Sequence, residues 1–471
     1  MKKTMKKTGL LFCVLLCGAG LAAAQTEADF ELAPDNRVVI ATTGNFFAGT
    51  IVHTTVSAGD GVVIAKYKGK GGTVVIPATI GGRPVVGIGA QAFQYVPSPA
   101  SVTIPASVTV IGKQAFISCR SMKSITIPAS VTSIGEWAFY NCESLASVTI
   151  PAGVTSIGEY AFAFCESLTS VTIPEGVTVI GDFAFERCKS LKSVIIPASM
   201  ITIGNYAFRE NSLTSVTIPV NVTAIGRGAF GTNSRLAAIT VVAANQRYKD
   251  IDGVLFTKDE KTLVAYPAGN GKSAYTIPAS VTAIGDGAFY GCKSLKSITI
   301  PVSVTSIGGY AFNECGLASV TIPASITAIG ENAFFRCDLA SVTIPESVTA
   351  IGKSAFEDCN NLTSVTIPAS VTAIGTRAFY HCKNLKSIMI PASVTTIGAE
   401  AFQFCDSLAS VTIPASVTSI GDSAFFSCDS LTSITIPAGV TSIGKSAFKY
   451  CGNLKSEIRA DIVRRFGEGP F

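Results

Sequence analysis

Residues 147–169 read SVTIPAGVTSIGEYAFAFCESLT, and this 23-residue unit recurs through almost the whole chain of 471 residues. A fixed period of this length predicts a solenoid, because one unit cannot bury its apolar side alone and must stack on its neighbours. The expected fold is therefore one stack of about 15–16 coils rather than several globular domains. The Ile-Pro step that marks each coil returns at Pro77, Pro105, Pro128, Pro151, Pro174, Pro197, Pro219, Pro278, Pro301, Pro323, Pro345, Pro368, Pro391, Pro414 and Pro437.

Within one unit, the segment S-V-T-I-P alternates polar and apolar residues, which is the pattern of a half-buried β-strand. In residues 170–174 this alternation places Val171 inward and Thr172 outward. Pro174 ends the strand because it has no N–H to donate. Gly181, in the Ile-Gly step that follows, is expected to permit a tight turn.

The Ala-Phe and cysteine positions of each unit are expected to face inward. Outside the N-terminal leader there are twelve cysteines at matching positions. Buried thiols at a repeat position behave as small apolar side chains, so reduced core cysteines are the favoured interpretation. Disulfides between neighbouring coils are the alternative, and no CxxC pair or histidine partner indicates a metal site. The expected structural core includes Phe139, Phe162, Phe185, Cys142, Cys165 and Cys188.

The N-terminus carries the pattern of a secretory signal peptide over residues 1–24. Four lysines precede an apolar stretch, 10–16, and small residues end at Ala24, where cleavage is expected. Lipid attachment to Cys17 is the alternative, disfavoured because Leu16 is large. Without these lysines the chain has 36 − 4 = 32 basic and 31 acidic residues, a balance that does not indicate nucleic acid. Beyond the leader, no 18-residue apolar run predicts a transmembrane segment.

Three further regions depart from the repeat. Residues 25–70 alternate apolar and polar residues and predict a strand-rich N-terminal cap on a solenoid that spans 71–455. Residues 456–471 have apolar residues at helical spacing and predict a short helical C-terminal cap. Some units are one residue short, at Asn211 and after Cys315 and Cys337, and this is expected only to shift the loop.

An insertion at about residues 239–275 is the largest interruption. From Pro219 to Pro278 there are 59 residues where two units would take 46, so 13 are extra. The runs 251–256 and 262–266 predict two strands joined by a charged turn. The insertion is interpreted as a degenerate repeat with a hairpin, and a dedicated binding projection is the alternative. In the second case the candidate contact residues are Tyr248, Asp252 and Lys258.

The unit I-P-x-x-V-x-x-I-G-x-x-A-F-x-x-C-x-x-L resembles that of the BspA-type leucine-rich-repeat surface proteins of bacteria, including spirochaetes. The segments GGTVVIPATIGGRPVVGIGAQAF (71–93) and LKSEIRADIVRRFGEGP (454–470) also resemble the family's first repeat and a C-terminal cap of its spirochaete members. The resemblance implies a horseshoe with the parallel sheet on its concave side. It also implies adhesion, because members of that family bind extracellular-matrix proteins or other bacterial cells.

The exposed strand positions are the remaining candidate for a binding surface. They hold serine and threonine almost throughout, and Ile195 and Met389 interrupt the threonine column. One interpretation is strand propensity and solubility, with hydroxyl ladders between strands. The other is a neutral hydrogen-bonding surface for an extended protein or a glycan. The candidate residues are Thr126, Thr149, Thr172, Thr217, Thr299, Thr321, Thr343, Thr366 and Thr412.

The sequence contains few residues that indicate catalysis. The two histidines are His53 and His381, and no nucleophile elbow, phosphate loop or metal motif accompanies them. We therefore expect an exported, non-enzymatic binding protein without a cofactor, located at the cell surface, associated with the outer membrane, or secreted. Its partner would be a protein of the extracellular matrix or of a host or bacterial surface, or a glycan. A periplasmic scaffold without a host ligand is the alternative, and a hydrolase is a remote one.

Overall fold

A computed structural model of the chain describes residues 27–33, 37–43, 52–57, 60–96 and 99–471. The expected signal peptide 1–24, with Cys17 and Ala24, lies outside the described residues, as does part of the expected cap 25–70. The described chain forms a β-solenoid of about 17 turns with coils of about 23 residues, which confirms the expected architecture.

Most coils contribute two short strands, one on each of two sides of the solenoid, and on each side neighbouring strands pair in parallel within several separate sheets. The Ser/Thr strands carry the S-V-T segment; they are Gly72–Val75, Pro99–Thr103, Ser124–Thr126, Ser147–Thr149, Ser170–Thr172, Ser215–Ile218, Ala238–Val241, Ala274–Thr276, Ser297–Thr299, Ser319–Thr321, Ser341–Thr343, Ser364–Thr366, Ser387–Met389, Ser410–Thr412 and Ser433–Thr435. The Ile strands precede the Ile-Gly turn; they are Val62–Tyr67, Arg83–Ile88, Val110–Ile111, Ser133–Ile134, Ser156–Ile157, Val179–Ile180, Thr202–Ile203, Ala224–Ile225, Thr262–Ala265, Ala283–Ile284, Ser306–Ile307, Ala328–Ile329, Ala350–Ile351, Ala373–Ile374, Thr396–Ile397, Ser419–Ile420 and Ser442–Ile443.

Aromatic stacking runs along the interior beside the two ladders. Phe162 is fully buried, and its ring centroid lies 5.1 Å from that of Phe139 and 5.4 Å from that of Phe185, with the planes nearly parallel. Because successive coils on each side of the insertion place one ring at the same position, each phenylalanine there fills the space between its two neighbours. The phenylalanines therefore couple adjacent coils through their packing.

The Ile-Gly glycine serves a close approach between coils. A Cβ on Gly181 would lie 2.8 Å from the backbone N of Glu159 and 2.9 Å from the carbonyl carbon of Gly158. Gly181 opens a tight turn, because the N–H of Ala184 donates to its carbonyl oxygen at 3.3 Å; its φ is not positive, so the close approach and not a left-handed conformation requires glycine there. Left-handed positions in the coil are instead taken by larger residues, such as Tyr160 with φ 52° and Phe164 with φ 61°.

The cysteine position is a hydrogen-bond donor site as well as a small apolar slot. The thiol of Cys165 donates to the carbonyl oxygen of Phe139 in the preceding coil, with Sγ and O 3.2 Å apart. Asn233 occupies the same position in its coil, and its amide donates to the carbonyl oxygens of Phe208 and Phe230 at 2.8 Å each. All twelve described cysteines are buried free thiols. The slot therefore selects side chains that can satisfy a buried carbonyl.

The insertion forms three antiparallel strands, Tyr248–Ile251, Val254–Thr257 and Thr262–Ala265, the last of which rejoins the Ile ladder. Residues 251–256 are thus not one strand. Asp252 and Gly253, with φ 50° and 77°, make the two-residue turn that a type I′ hairpin requires.

The middle strand of the insertion is built into the solenoid core. Leu255 packs with the coils before it, whereas Phe256 packs with the coils after it. On the opposite side of the coil, the N–H of Thr232 donates to the carbonyl oxygen of Tyr290 at 3.1 Å, so the coils before and after the insertion stack directly there. These contacts are those of a degenerate repeat that carries a hairpin.

The described ends of the solenoid carry additional elements. A short 3-10 helix, Glu27–Asp29, and three strands precede the first coil; the strands are Phe30–Leu32, Arg37–Thr43 and Val52–Ser57. A further short strand, Thr79–Ile80, pairs with Arg83–Ile88. The Ile ladder already includes Val62–Tyr67, so the first coil begins inside the segment 25–70 that the sequence assigned to the cap. An α-helix runs Ser456–Phe466, and its Ile462 is buried against the last coils. That both ends protect the solenoid core stays a prediction.

Candidate binding face

The Ser/Thr strands expose alternate residues along one side of the solenoid, which we call the Ser/Thr face. In Ser170–Thr172 the outer two residues are exposed and Val171 is buried, and most of the other strands repeat this pattern. The pairing aligns equivalent residues in register, so that neighbouring threonines stand one strand spacing, about 4.8 Å, apart. All nine candidate threonines are exposed: Thr126, Thr149, Thr172, Thr217, Thr299, Thr321, Thr343, Thr366 and Thr412.

The hydroxyls of the Ser/Thr face differ from those of other threonine columns in the same coils. Thr132 and Thr178, in the segment before each Ile strand, donate their hydroxyls to the carbonyl oxygens of Thr109 and Thr155 in the preceding coils, at 3.3 Å each. Within residues 99–471 of the Ser/Thr face, one pair of threonine hydroxyls is hydrogen-bonded. It is the pair Thr217 and Thr240, whose Oγ1 atoms are 3.0 Å apart.

The remaining candidate threonines make no hydrogen bond to the protein through their hydroxyls in that part of the chain. The expected hydroxyl ladders between strands are therefore largely missing from the described face. Its hydroxyls are free to bond water or a ligand.

The hairpin of the insertion is one of the places where the Ser/Thr ladder is interrupted. The carbonyl oxygen of Gly253 accepts the N–H of Ile239, and the carboxylate of Asp250 accepts the N–H of Val241, both at 2.8 Å. These bonds cover the edge of the strand Ala238–Val241. The parallel pairing resumes between Ala274–Thr276 and Ser297–Thr299.

The three hairpin candidates do not form one site. Tyr248 is 6% exposed, and its hydroxyl accepts the N–H of Ile225 at 3.1 Å, so the expected contact role for this residue is wrong. Its aromatic ring fills the core because the preceding segment turns inward at Asn245, whose side-chain oxygen accepts the N–H of Tyr248 at 2.8 Å. Asp252 and Lys258 are exposed, but they flank opposite ends of the strand Val254–Thr257.

A groove that the sequence did not predict opens on the Ser/Thr face at the first short unit. Val194 and Val216 are 22 residues apart where Val171 and Val194 are 23 apart. Residues 193–196 form no strand and contribute the single bridge of Ile195 to Thr172. The resulting cavity of about 550 Å³ has Ile195, Val220 and Val242 among its lining residues. The irregular spacing and the isoleucine in the threonine column are the sequence signals for it.

The flank that follows the Ile strands carries an external aromatic column. Trp137, Tyr160, Phe183 and Tyr206 stack with successive centroid distances of 4.0, 4.4 and 4.9 Å. These half-buried rings bind one another, as expected of packing. Beside them, partial desolvation and the neighbouring carboxylates of Glu136 and Asp182 raise the pKa of Glu159, although its side chain is exposed.

The described cysteine thiols are buried, and His381 is paired with a carboxylate. Burial raises the pKa of the Cys165 thiol to about 12, which suppresses the thiolate that a nucleophile needs. His381 contacts the carboxylate of Asp358, which also binds Arg336 at 3.1 Å. Across the described ranges, no group of three or more histidine, cysteine, aspartate or glutamate residues is arranged to hold a metal ion. The helices found there are too short or too polar to cross a membrane.

Comparison with known proteins places this geometry in a family. The family described as the BspA type leucine rich repeat region (6 copies) matches residues 86–208, 155–262, 269–338 and 327–455. No curated protein matches the chain significantly.

Solved structures give the same picture. A leucine rich cell surface protein from Faecalibacterium prausnitzii is 35% identical, with 80% of this chain and 91% of that chain covered and a TM-score of 0.54. A leucine-rich repeat protein from Eubacterium ventriosum is 26% identical, with 84% and 92% covered and a TM-score of 0.55. The pneumococcal vaccine antigen PcpA, at 20% identity, 91% and 97% coverage and a TM-score of 0.51, shows the fold alone.

Proposed function

This chain belongs to the BspA-type leucine-rich-repeat family, and we propose that it is an exported, non-enzymatic adhesin that binds a surface protein through its Ser/Thr face. The partner would be a protein of the extracellular matrix, of a host surface or of another bacterial cell. Several candidate threonines on this face, such as Thr149 and Thr172, are exposed and held in register, and their hydroxyls make no hydrogen bond to the described part of the protein. This is the observation that supports the proposal.

The mechanism would be polyvalent. Each coil presents the same pair of exposed positions, so an extended partner meets many equivalent hydroxyls on a rigid scaffold. A single neutral hydrogen bond to an exposed hydroxyl contributes little net free energy, about 0.5–1.5 kcal/mol at most. Repetition over several coils raises the overall affinity, because the later contacts form at a high effective concentration. Such a surface suits attachment between large bodies better than capture of a small molecule.

Export is supported by the sequence pattern of residues 1–24 and by the cell-surface description of the protein from Faecalibacterium prausnitzii. Cleavage after Ala24 would release the mature chain, and lipid on Cys17 would anchor it. Mass spectrometry of the N-terminal peptide from native cells distinguishes the two, because a lipid changes the mass of that peptide.

Accessibility on intact cells tests the proposed location. A membrane-impermeant amine-reactive label should modify this chain on intact cells, while a periplasmic control protein stays unlabelled. Labelling only after the outer envelope is breached would replace the adhesin proposal by a periplasmic scaffold. Binding of the purified mature chain to immobilised extracellular-matrix proteins and to intact bacterial cells then tests recognition itself.

A further inference from the structure

We propose that the groove at Ile195 is the specificity site of the Ser/Thr face and that it takes the aliphatic side chains of an extended segment of a partner protein. The proposal rests on the proposed function, because it assigns a partner chemistry to the same face. Most of the Ser/Thr face is repetitive and cannot distinguish one partner from another. The groove is a place where that repetition is broken by shape and by chemistry together.

The groove lies where the Ser/Thr ladder is open between two adjacent coils, as it also is between Ser124–Thr126 and Ser147–Thr149 and between Ser297–Thr299 and Ser319–Thr321. Ser215–Ile218 pairs on one side with Ala238–Val241. On its other side it faces residues 193–196, which form no strand, and within residues 99–471 no ladder pairing joins the two. Val194 is half-buried, whereas its equivalent Val171 is buried. An open ladder leaves main-chain groups and apolar side chains accessible from the same face.

The lining selects an uncharged, apolar occupant. It includes Val194, Ile195, Val220 and Val242, together with hydroxyl side chains such as that of Thr217, and no ionisable or aromatic residue. A charged group placed here would lose its hydration without gaining a partner of opposite charge. A sugar would find few polar groups and no ring to stack on. Aliphatic side chains carry no charge to desolvate and need no polar partner or aromatic ring.

The exposed apolar area of the groove is itself unusual for this face. Ile195 is 81% exposed at a position that is threonine in most other coils, and Val242 is 40% exposed beside it. Covering an isoleucine side chain removes apolar area from water and is favourable. The volume of about 550 Å³ lies within the range of about 300–1,000 Å³ typical of ligand pockets.

The open ladder favours an extended protein segment over an isolated apolar molecule. An extended chain lying on the groove points alternate side chains downward, while its main chain can bond the hydroxyls of Ser193 and Ser215 that line the groove. Those hydroxyls continue directly into the Ser/Thr columns of the neighbouring coils. One segment can therefore occupy the groove and continue across the neutral face.

Met389 provides a matched control within the chain. It interrupts the same threonine column and is 74% exposed, but its strand Ser387–Met389 is paired on both sides, whereas residues 193–196 form no strand. Ile195→Thr and Met389→Thr both restore the column residue at exposed positions, so neither is expected to disturb folding. Thermal unfolding followed by circular dichroism verifies that the two variants match the native protein.

The test is a phage-display experiment. Random linear peptides of twelve residues are selected for binding to the full mature chain. The proposal expects enriched peptides with aliphatic residues two positions apart. Synthetic copies of them should bind Ile195→Thr at least tenfold more weakly and Met389→Thr with unchanged affinity. No enrichment on the native chain, enrichment of charged peptides, or equal binding to Ile195→Thr would overturn the proposal.

A failure of the groove is distinguishable from a failure of the proposed function. If the mature chain binds cells or matrix proteins and Ile195→Thr binds them equally well, the function stands and the groove proposal is wrong. If selected peptides need Ile195 but the mature chain binds neither cells nor matrix proteins, the groove binds peptide and the adhesin proposal is wrong. Each outcome therefore decides one of the two proposals.

Discussion

The cysteine position gives a quantitative test of how the coils are held together. In Cys165→Ala, the carbonyl oxygen of Phe139 loses the thiol donor at 3.2 Å in a fully buried site and keeps the N–H of Cys142 at 3.4 Å. Losing one net hydrogen bond costs about 0.5–1.5 kcal/mol, and the lost sulfur leaves a void comparable to a methylene, about 0.8 kcal/mol. Because a thiol is a weak donor, we take the low end of the first range and expect about 1.3 kcal/mol of destabilisation.

Cys165→Ser is the matched variant, because its hydroxyl keeps a donor in the slot as the amide of Asn233 does in a later coil. We expect it to lose less than half of the free energy of unfolding that the alanine variant loses. Urea unfolding under reducing conditions, followed by fluorescence and circular dichroism, measures both. An alanine variant as stable as the native protein, or a serine variant less stable than the alanine variant, would refute the donor role of the slot.

Three further changes test other parts of the account. Gly181→Ala should destabilise the protein by about 1–3 kcal/mol, because its Cβ would meet the backbone of Glu159 and Gly158. Gly452→Ala is the control in the same urea assay, because a Cβ on Gly452 would have no atom within 4 Å. Tyr248→Phe should cost about 1–2 kcal/mol through the lost bonds to Ile225 and Thr223; unchanged stability with weaker partner binding would restore it as a contact residue. Glu159→Gln should raise the thermal midpoint at pH 7, because a raised pKa means that the folded state disfavours the ionised carboxyl. That gain should vanish below about pH 4, where the carboxyl is protonated in both states; a gain that persists there would contradict the assignment.

The periodic part of the fold follows from the sequence because local pattern and long-range packing agree in every coil. The alternation in Ser170–Thr172 is enough to predict which residues point outward, and the structure has them exposed. The position of the hairpin turn was less evident, since residues 251–256 read as one apolar run. There the left-handed conformation of Asp252 and Gly253 decides where the strand is broken.

The burial of Tyr248 and the groove at Ile195 depend on contacts between coils that no single unit encodes. Three units are short by one residue, but the ladder between Ser319–Thr321 and Ser341–Thr343 remains paired across one of them. Unit length does not decide whether the ladder opens, because Ser124–Thr126 and Ser147–Thr149 are a full 23 residues apart and are unpaired as well. Spacing alone therefore leaves the shape of such a groove undetermined.

Removal of hydroxyls from the Ser/Thr face tests the central claim most directly. Thr→Val at Thr321, Thr343, Thr366 and Thr412 removes four exposed hydroxyls that make no hydrogen bond to the described protein. The control variant makes the same change at Thr349, Thr395, Thr418 and Thr441, whose hydroxyls donate to carbonyl oxygens of the preceding coils.

Binding of the mature chain to intact bacterial cells and to immobilised extracellular-matrix proteins is the measurement. The account predicts that the face variant keeps its stability and loses at least tenfold in binding, whereas the control variant loses stability and keeps its binding. A face variant that binds as tightly as the native protein would contradict the account.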